Sequence, residues 1–311
     1  KLRRCADQLR EKYMRSALLI GNGLNRCYEN AISWDKLLQN IANKYTVSFN
    51  ANNPFPLEFE SIANQILAQD NRKSKDVYSE LKGEIARMVC GQIPVNDSLH
   101  ELYVRDIPLD CILTTNYDYM LERAFYGDSQ PAPKAKDNSE TKYSLFRFAK
   151  YAEKSFYHIH GEANYRESLC LGYEHYAAYL AKMREYLKAK PELARRISEC
   201  ALPEKRSWID MFFTHDIYIV GLKLDTNEID LWWLLTYRAY LYYSNDSGLL
   251  KIMKNRVKIF LTHDDRNQQE LFNHLHVETE FIDPHGNYET AYREIAKLIG
   301  QEVLKRKNEV R

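Results

Sequence analysis

No two of the six cysteines, Cys5, Cys27, Cys90, Cys111, Cys170 and Cys200, lie close enough to form a Cys-x-x-Cys pair, so zinc-ribbon spacing is absent. Several sit in apolar runs, Cys111 in DCILTTN and Cys170 in SLCLGY, as buried free thiols do in a reducing compartment, and a cytoplasmic location is expected. Neither sign of charge is in excess. With 44 basic against 43 acidic side chains the net charge is +1, which gives no overall footprint for nucleic acid or an anionic membrane and leaves room for a small neutral or anionic ligand. No apolar segment reaches membrane-spanning length. The richest, IDLWWLLTYRAYLYY from Ile229 to Tyr243, is interrupted by Arg238 and studded with tyrosine, so it reads as a core or interface helix and no membrane partner is expected. The first residues show a charged amphipathic pattern (Leu2, Cys5, Leu9, Tyr13) rather than an apolar-centred signal peptide, and secretion is not expected. The sequence has no internal repeat.

What is present is an alternation. Short apolar runs ending in polar or glycine turns recur at Ala17–Ile20, Cys111–Thr115, Phe156–His160, Asp216–Val220, Val257–Thr262 and Val277–Ile282, with helical patterns between them. That order predicts a mostly parallel sheet covered by helices. Ser33 followed by Trp34, Leu37, Leu38, Ile41 and Tyr45 reads as a capped amphipathic helix. Further helices fit Leu57–Gln69, Lys75–Val89, Ser98–Val104, Tyr173–Lys188, Pro191–Cys200 and Tyr288–Lys305. The first two strands stand about ninety residues apart, more than one crossover helix needs, so a helical insertion is expected at about 44–108 and a second at about 173–208. Tyr126–Lys142 has the composition of an exposed loop. All 311 residues are expected to form one domain with an interrupted sheet.

Three strand ends carry the polar residues that chemistry would need. Gly21-Asn22-Gly23 follows the first strand, where glycines let the backbone turn tightly and approach a pyrophosphate; an ordinary strand-to-helix turn would look the same. The third glycine of the dehydrogenase fingerprint is missing, since Leu24, Asn25 and Arg26 follow Gly23. In ILTTNYDYMLERA an apolar strand delivers Thr114, Thr115, Asn116, Tyr117 and Asp118 to the sheet edge where ligands bind, although Asn116 or Asp118 could equally cap the next helix. In FYHIHGEANY, His158 and His160 are two apart and are expected to face the same way, so a metal pair is conceivable; a third and fourth ligand would have to come from residues such as His215, Asp216, His263 or Asp264. A single catalytic His160 held by the Gly161 turn ranks above that pair.

Taken in order, GNGLN, TTNYD, IHG and YIVGLKLDTNEIDLWWLL, together with LCLGYEHYAAYL, resemble the sirtuin-like NAD-processing domain. The likeness is to its prokaryotic, zinc-free, antiphage-defence-associated branch and runs from about Tyr13 to Ile299. It implies an α/β fold with a Rossmann-like, mostly parallel sheet flanked by helices. It implies that Gly21, Asn22 and Gly23, with Asn25 where the family often has serine, face the NAD pyrophosphate with Thr115 nearby. Asn116 would lie beside the nicotinamide ribose with Asp118 close to it, and His160 would be the catalytic histidine. Gly221 would open the turn that meets the adenosine half, with Lys223 where the family often has serine. The Gly-Ile-Pro-Asp-Phe-Arg segment and paired Cys-x-x-Cys of deacylating sirtuins are absent, which argues against protein deacylation.

The expectation is therefore an NAD+ glycohydrolase that releases nicotinamide and ADP-ribose, with NAD as substrate and no resident cofactor or metal. The nicotinamide of NAD+ is already cationic and leaves as a neutral base, so the enzyme has only to hold the ribose, stabilise charge and position water. The resemblance further implies an effector that depletes NAD on infection, a homo-oligomer, and a HerA-type motor ATPase or other defence partner. Two rivals remain: a regulatory module that binds NAD or an ADP-ribose derivative without turnover, and a metal-dependent hydrolase built on His158 and His160.

Overall fold

In the computed structural model the described residues are 15–28, 31–69, 73–91, 98–127, 142–152, 154–199, 207–244 and 253–309. The N-terminal amphipathic pattern and residues 128–141 of the expected loop lie outside them. The apolar runs form seven strands: Ser16–Ile20 (β1), Cys111–Thr114 (β2), Ala149–Tyr151 (β3), Lys154–His158 (β4), Asp216–Val220 (β5), Val257–Leu261 (β6) and Glu278–Phe281 (β7). They make one sheet in the order β3-β4-β2-β1-β5-β6-β7. Every pairing is parallel except that of β3 with β4. β1 and β5 are buried along their whole length, which is why they read as unbroken apolar runs rather than as alternating ones. The fold is α/β and Rossmann-like, as expected.

The strand order positions the site. From β1 the chain moves outward through β2 and β4 on one side, then returns to β5 beside β1 and moves outward through β6 and β7 on the other. The loops leaving β1 and β5 therefore diverge to opposite faces, and the crevice between them at the carboxyl ends of the strands is where such sheets bind ligands.

The helices are Trp34–Tyr45 (α1), Phe55–Gln69 (α2), Ser74–Cys90 (α3), Ser98–Glu101 (α4), Met120–Tyr126 (α5), Tyr173–Leu187 (α6), Lys190–Glu199 (α7), Trp208–Thr214 (α8), Ile229–Tyr243 (α9), Arg266–His274 (α10) and Tyr288–Glu309 (α11). α1 starts where the Ser33 hydroxyl accepts the Lys36 N–H and stops at Thr46, which takes a left-handed conformation with φ 55°. Successive residues of β1 alternate between two apolar layers. Ala17 and Leu19 pack with α6, α7, α8, α9 and α10, whereas Leu18 and Ile20 pack with α4, α5 and α11. A third apolar cluster joins α1, α2 and α3 to Tyr117, Tyr119, Ala163, Leu169 and Leu171. These helices thus form a cap over the carboxyl edge of β2 and β4. No helix among the described residues is long and apolar enough to cross a membrane.

At the opposite edge of the sheet a buried cation ties three segments together. Arg238, 1% exposed, donates from Nε to Phe212 O at 3.0 Å, from Nη1 to His276 O at 3.2 Å and from Nη2 to Asn255 O at 2.7 Å. Burial pushes its guanidinium down to about 10, still charged at neutral pH. Those carbonyls lie in α8 and just before β6 and β7, so one side chain fixes how three elements enter the sheet. Arg238→Met would leave the carbonyls short of donors and is expected to lower the unfolding free energy by about 3 kcal/mol. Urea denaturation measures this, and a loss below about 1 kcal/mol would show that the guanidinium is dispensable.

Candidate active site

The loops leaving β1 and β5 touch. Gly21 N–H donates to Val220 O at 3.0 Å and Gly23 N–H to Gly221 O at 2.8 Å. A Cβ on Gly23 would overlap the Tyr292 hydroxyl and come 2.7 Å from Gly221 Cα, so this glycine is required by the crossing of two protein loops. The left-handed backbone of the crossing falls at Gly221, with φ 63°. Gly21, Asn22, Gly23 and Gly221 are therefore brought together at the switch point. Lys223 is exposed, and its carbonyl accepts Gln268 Nε2–H at 3.0 Å.

From β2 the chain delivers Thr114, Thr115 and Asn116 to the same edge, all buried. The Thr114 hydroxyl donates to Ile20 O at 2.9 Å and accepts Asn116 N–H at 3.0 Å, which latches the β2 loop to β1. Thr115 N–H donates to Ile20 O at 3.3 Å. Asn116 Nδ2 donates to Gly21 O at 3.4 Å, while its Oδ1 is buried without a hydrogen-bond partner. An orphaned buried acceptor at a ligand edge is the feature that a substrate hydroxyl or a water would satisfy.

Asp118 and Asn25 form a brace. Asp118 Oδ1 accepts Met120 N–H at 3.0 Å, starting α5, and its Oδ2 accepts Asn25 Nδ2–H at 2.9 Å. Because Asn25 donates through its nitrogen, its Oδ1 accepts from His100 Nε2 at 2.8 Å, and His100 Nδ1 then accepts the Tyr28 hydroxyl at 3.0 Å. Burial pushes His100 down to about 4, in keeping with a neutral ring in that tautomer. Burial also raises Asp118, against the pull of these hydrogen bonds. Asn25 is 0% exposed with both ends of its amide engaged, so it holds the glycine loop from behind.

The two histidines part company. β4 ends at His158, and the turn closed by Gly161 N–H on His158 O at 3.2 Å rotates the chain, so the strand's period of two no longer applies at His160. Gly161 permits that turn with φ 97°, in a place where a Cβ would overlap the Ser168 carbonyl. His158 points to α5, where Nε2 meets Glu122 Oε1 at 2.7 Å, while Nδ1 meets Asn116 O at 2.7 Å. Both acceptors lack protons, so both ring nitrogens donate. Burial alone would lower His158, but the Glu122 charge and hydrogen bond, Glu162 and the Asn116 carbonyl outweigh it and raise it to about 9. His160 points to α9 on the other face of the sheet, where Nε2 meets Asp230 Oδ2 at 2.9 Å. Its ring stands edge-on to Tyr176, with centroids 5.4 Å apart. The expectation that the histidines face the same way does not hold. Among the described residues no group of three His, Cys, Asp or Glu side chains is arranged to hold a metal ion.

Asn22, Ile32, Trp34, Val89, Asn116, Tyr117 and Asp118 line a small cleft between the sheet edge and the helical cap.

Residues 110–229 match the family described as SIR2-like domain. That segment is similar to SIR2-like domains and makes up less than half of the chain. It contains Asn116, Asp118, His160 and Gly221 and begins after the Gly21–Gly23 turn. No curated protein matches the sequence.

Sequence reasoning passed over Asp230, Glu122 and Glu228. Burial, with the neighbouring charges of Asp225 and Asp230, raises Glu228 to about 9. The readable signal for Asp230 is its spacing with Leu234 and Arg238, which puts a carboxylate on the buried stripe of α9.

The His158–Glu122 pair sets a pH dependence. With the folded value raised to about 9 from 6.5, its stabilisation is full below about 6.5 and is lost as pH rises through 9. Glu122→Gln is expected to cost about 3 kcal/mol at pH 6.5, and its deficit against the wild type should shrink as pH rises through 9. Paired denaturation curves across that range test this; a deficit independent of pH would mean that the ring is neutral.

Proposed function

We propose that the protein is a cytoplasmic NAD+ glycohydrolase that releases nicotinamide and ADP-ribose. The observation that carries this reading is the buried, unpartnered Asn116 Oδ1 at the carboxyl edge of a sirtuin-like segment whose β4 turn supplies His160. Asn116 is suited to hold a ribose hydroxyl or the attacking water without a competing charge. His160, as the general base, takes one proton of that water as its oxygen bonds to the ribose C1′. The C1′–N bond breaks with its electron pair leaving on nicotinamide, and the proton passes on to solvent. Asp118 and Asn25 keep the edge in shape, and Gly21, Asn22, Gly23, Thr115, Gly221 and Lys223 line the path proposed for the dinucleotide.

The antiphage, NAD-depleting role and a HerA-type motor ATPase or other defence partner rest on the motif resemblance. A homo-oligomer draws further support from α9, where Tyr240 and Tyr243 are 59% and 58% exposed. Light scattering on the wild type and on Tyr240→Glu/Tyr243→Glu tests the assembly; an unchanged mutant particle, or a monomeric wild type, ends that part.

Incubating the protein with NAD+ and resolving the products by chromatography tests the activity. Asn116→Ala is expected to abolish cleavage with the fold intact, and His160→Ala to slow it by roughly 10²–10⁴-fold. Wild-type turnover retained in Asn116→Ala removes that residue from the mechanism. A second reading, binding without turnover, is favoured by one observation: His160 is engaged with Asp230 and is not among the residues lining the pocket. It predicts an NAD-induced rise in melting temperature with no nicotinamide released.

A further inference from the structure

We propose that Asp230 is a positioning residue for His160, fixing the proton on Nε2 so that Nδ1 is the basic atom. This rests on the glycohydrolase reading. Asp230 is 0% exposed, and among the described residues His160 is the hydrogen-bond partner of its side chain: Oδ2 meets Nε2 at 2.9 Å while Oδ1 has no partner. A fully buried carboxyl group with one hydrogen-bond partner and one orphaned oxygen is a poor stabilising element, since a single hydrogen bond does not return the cost of desolvating it. Its position at the first turn of α9 is instead suited to orienting a ring.

The ring has little freedom to do otherwise. Tyr176 and Tyr179 stand edge-on to it, at interplanar angles of 86° and 82°, and His160 O accepts Cys170 N–H at 2.9 Å, which pins its backbone. An ionised carboxylate only accepts, so the shared proton belongs to Nε2 and the lone pair to Nδ1. When Nδ1 takes a proton from the attacking water, the imidazolium so formed faces the Asp230 carboxylate across the same hydrogen bond. The C1′–O bond forms, the C1′–N bond breaks with its electron pair leaving on nicotinamide, and the proton returns to solvent from Nδ1. Asp230 itself exchanges no proton, as in other carboxylate-oriented histidines.

The test combines nitrogen-15 histidine NMR with steady-state kinetics on the whole chain. In the wild type at pH 7.5, His160 is expected to carry its proton on Nε2 with Nδ1 bare. In Asp230→Asn this preference is expected to be lost and kcat to fall roughly 10²–10⁴-fold, with KM for NAD+ within about threefold of the wild type. Asp230→Glu, which restores the carboxylate, should recover part of kcat. A wild-type ring protonated on Nδ1, or an Asp230→Asn variant with kcat within about threefold of the wild type, overturns the proposal while leaving the glycohydrolase reading intact. A wild type that releases no nicotinamide overturns that reading and this role with it. Failure of both variants to fold assigns Asp230 to the fold and also overturns the proposal.

Discussion

The contact between the loops leaving β1 and β5 is the constraint on which the candidate site depends. Gly23 N–H on Gly221 O draws two diverging loops together at the point where the strand order reverses; a Cβ has no room at Gly23, and the left-handed backbone favours glycine at Gly221. With the loops held there, Gly21 O is available to Asn116 Nδ2, and the β2 edge is fixed to the β1 edge. A larger residue at Gly23 would therefore push apart the protein's own elements before it met any ligand. The first glycine pair thus has a structural cause that is complete without a dinucleotide, and the case for a ligand passes to the edge residues beside it.

Those residues are held from behind by a network of polar groups, of which Asp118 also lines the pocket. His158, charged through Glu122, grips the Asn116 carbonyl, and the chain Asp118–Asn25–His100–Tyr28 ties the glycine loop to α5 and α4. Buried networks of this kind are costly unless nearly every member is satisfied, and in return they fix a geometry that apolar packing would leave loose. The contrast between the two histidines follows. His158 has both nitrogens engaged and is a strut, whereas the ring of His160 has a single hydrogen bond, to Asp230.

Much of the fold was legible because parallel strands buried on both faces write themselves as apolar runs, and all six expected strands occur within a few residues of their expected limits. The elements that escaped did so for physical reasons. β3 is a three-residue antiparallel edge strand, too short to carry a period. α8 buries Trp208 through Phe213 and so has no polar face, and α10 buries Phe272 alone and so has no apolar stripe. In the site, the strand-end motifs were visible because polar residues follow apolar runs. Their partners were not, since Asp230 lies 70 residues from His160 and Glu122 lies 36 from His158, and such pairings are made by tertiary packing. The same-face reading of the histidines failed because it extended the strand's period past the strand's last residue.

The helical cap completes the argument about where a ligand would be enclosed. Trp34 and Val89 come from α1 and α3, which share an apolar cluster with Tyr117 and Tyr119 on the β2 loop. The pocket wall and the β2 edge are consequently parts of one packed unit, in which the Tyr117 ring stands edge-on to Trp34 at 5.0 Å between centroids. Tyr117 also donates its hydroxyl to Cys170 O, and Cys170 N–H in turn holds His160 O. One ring contact and two hydrogen bonds therefore connect the cap, through Tyr117 and Cys170, to the backbone of His160, so that the cap and the β4 turn are packed as a single unit.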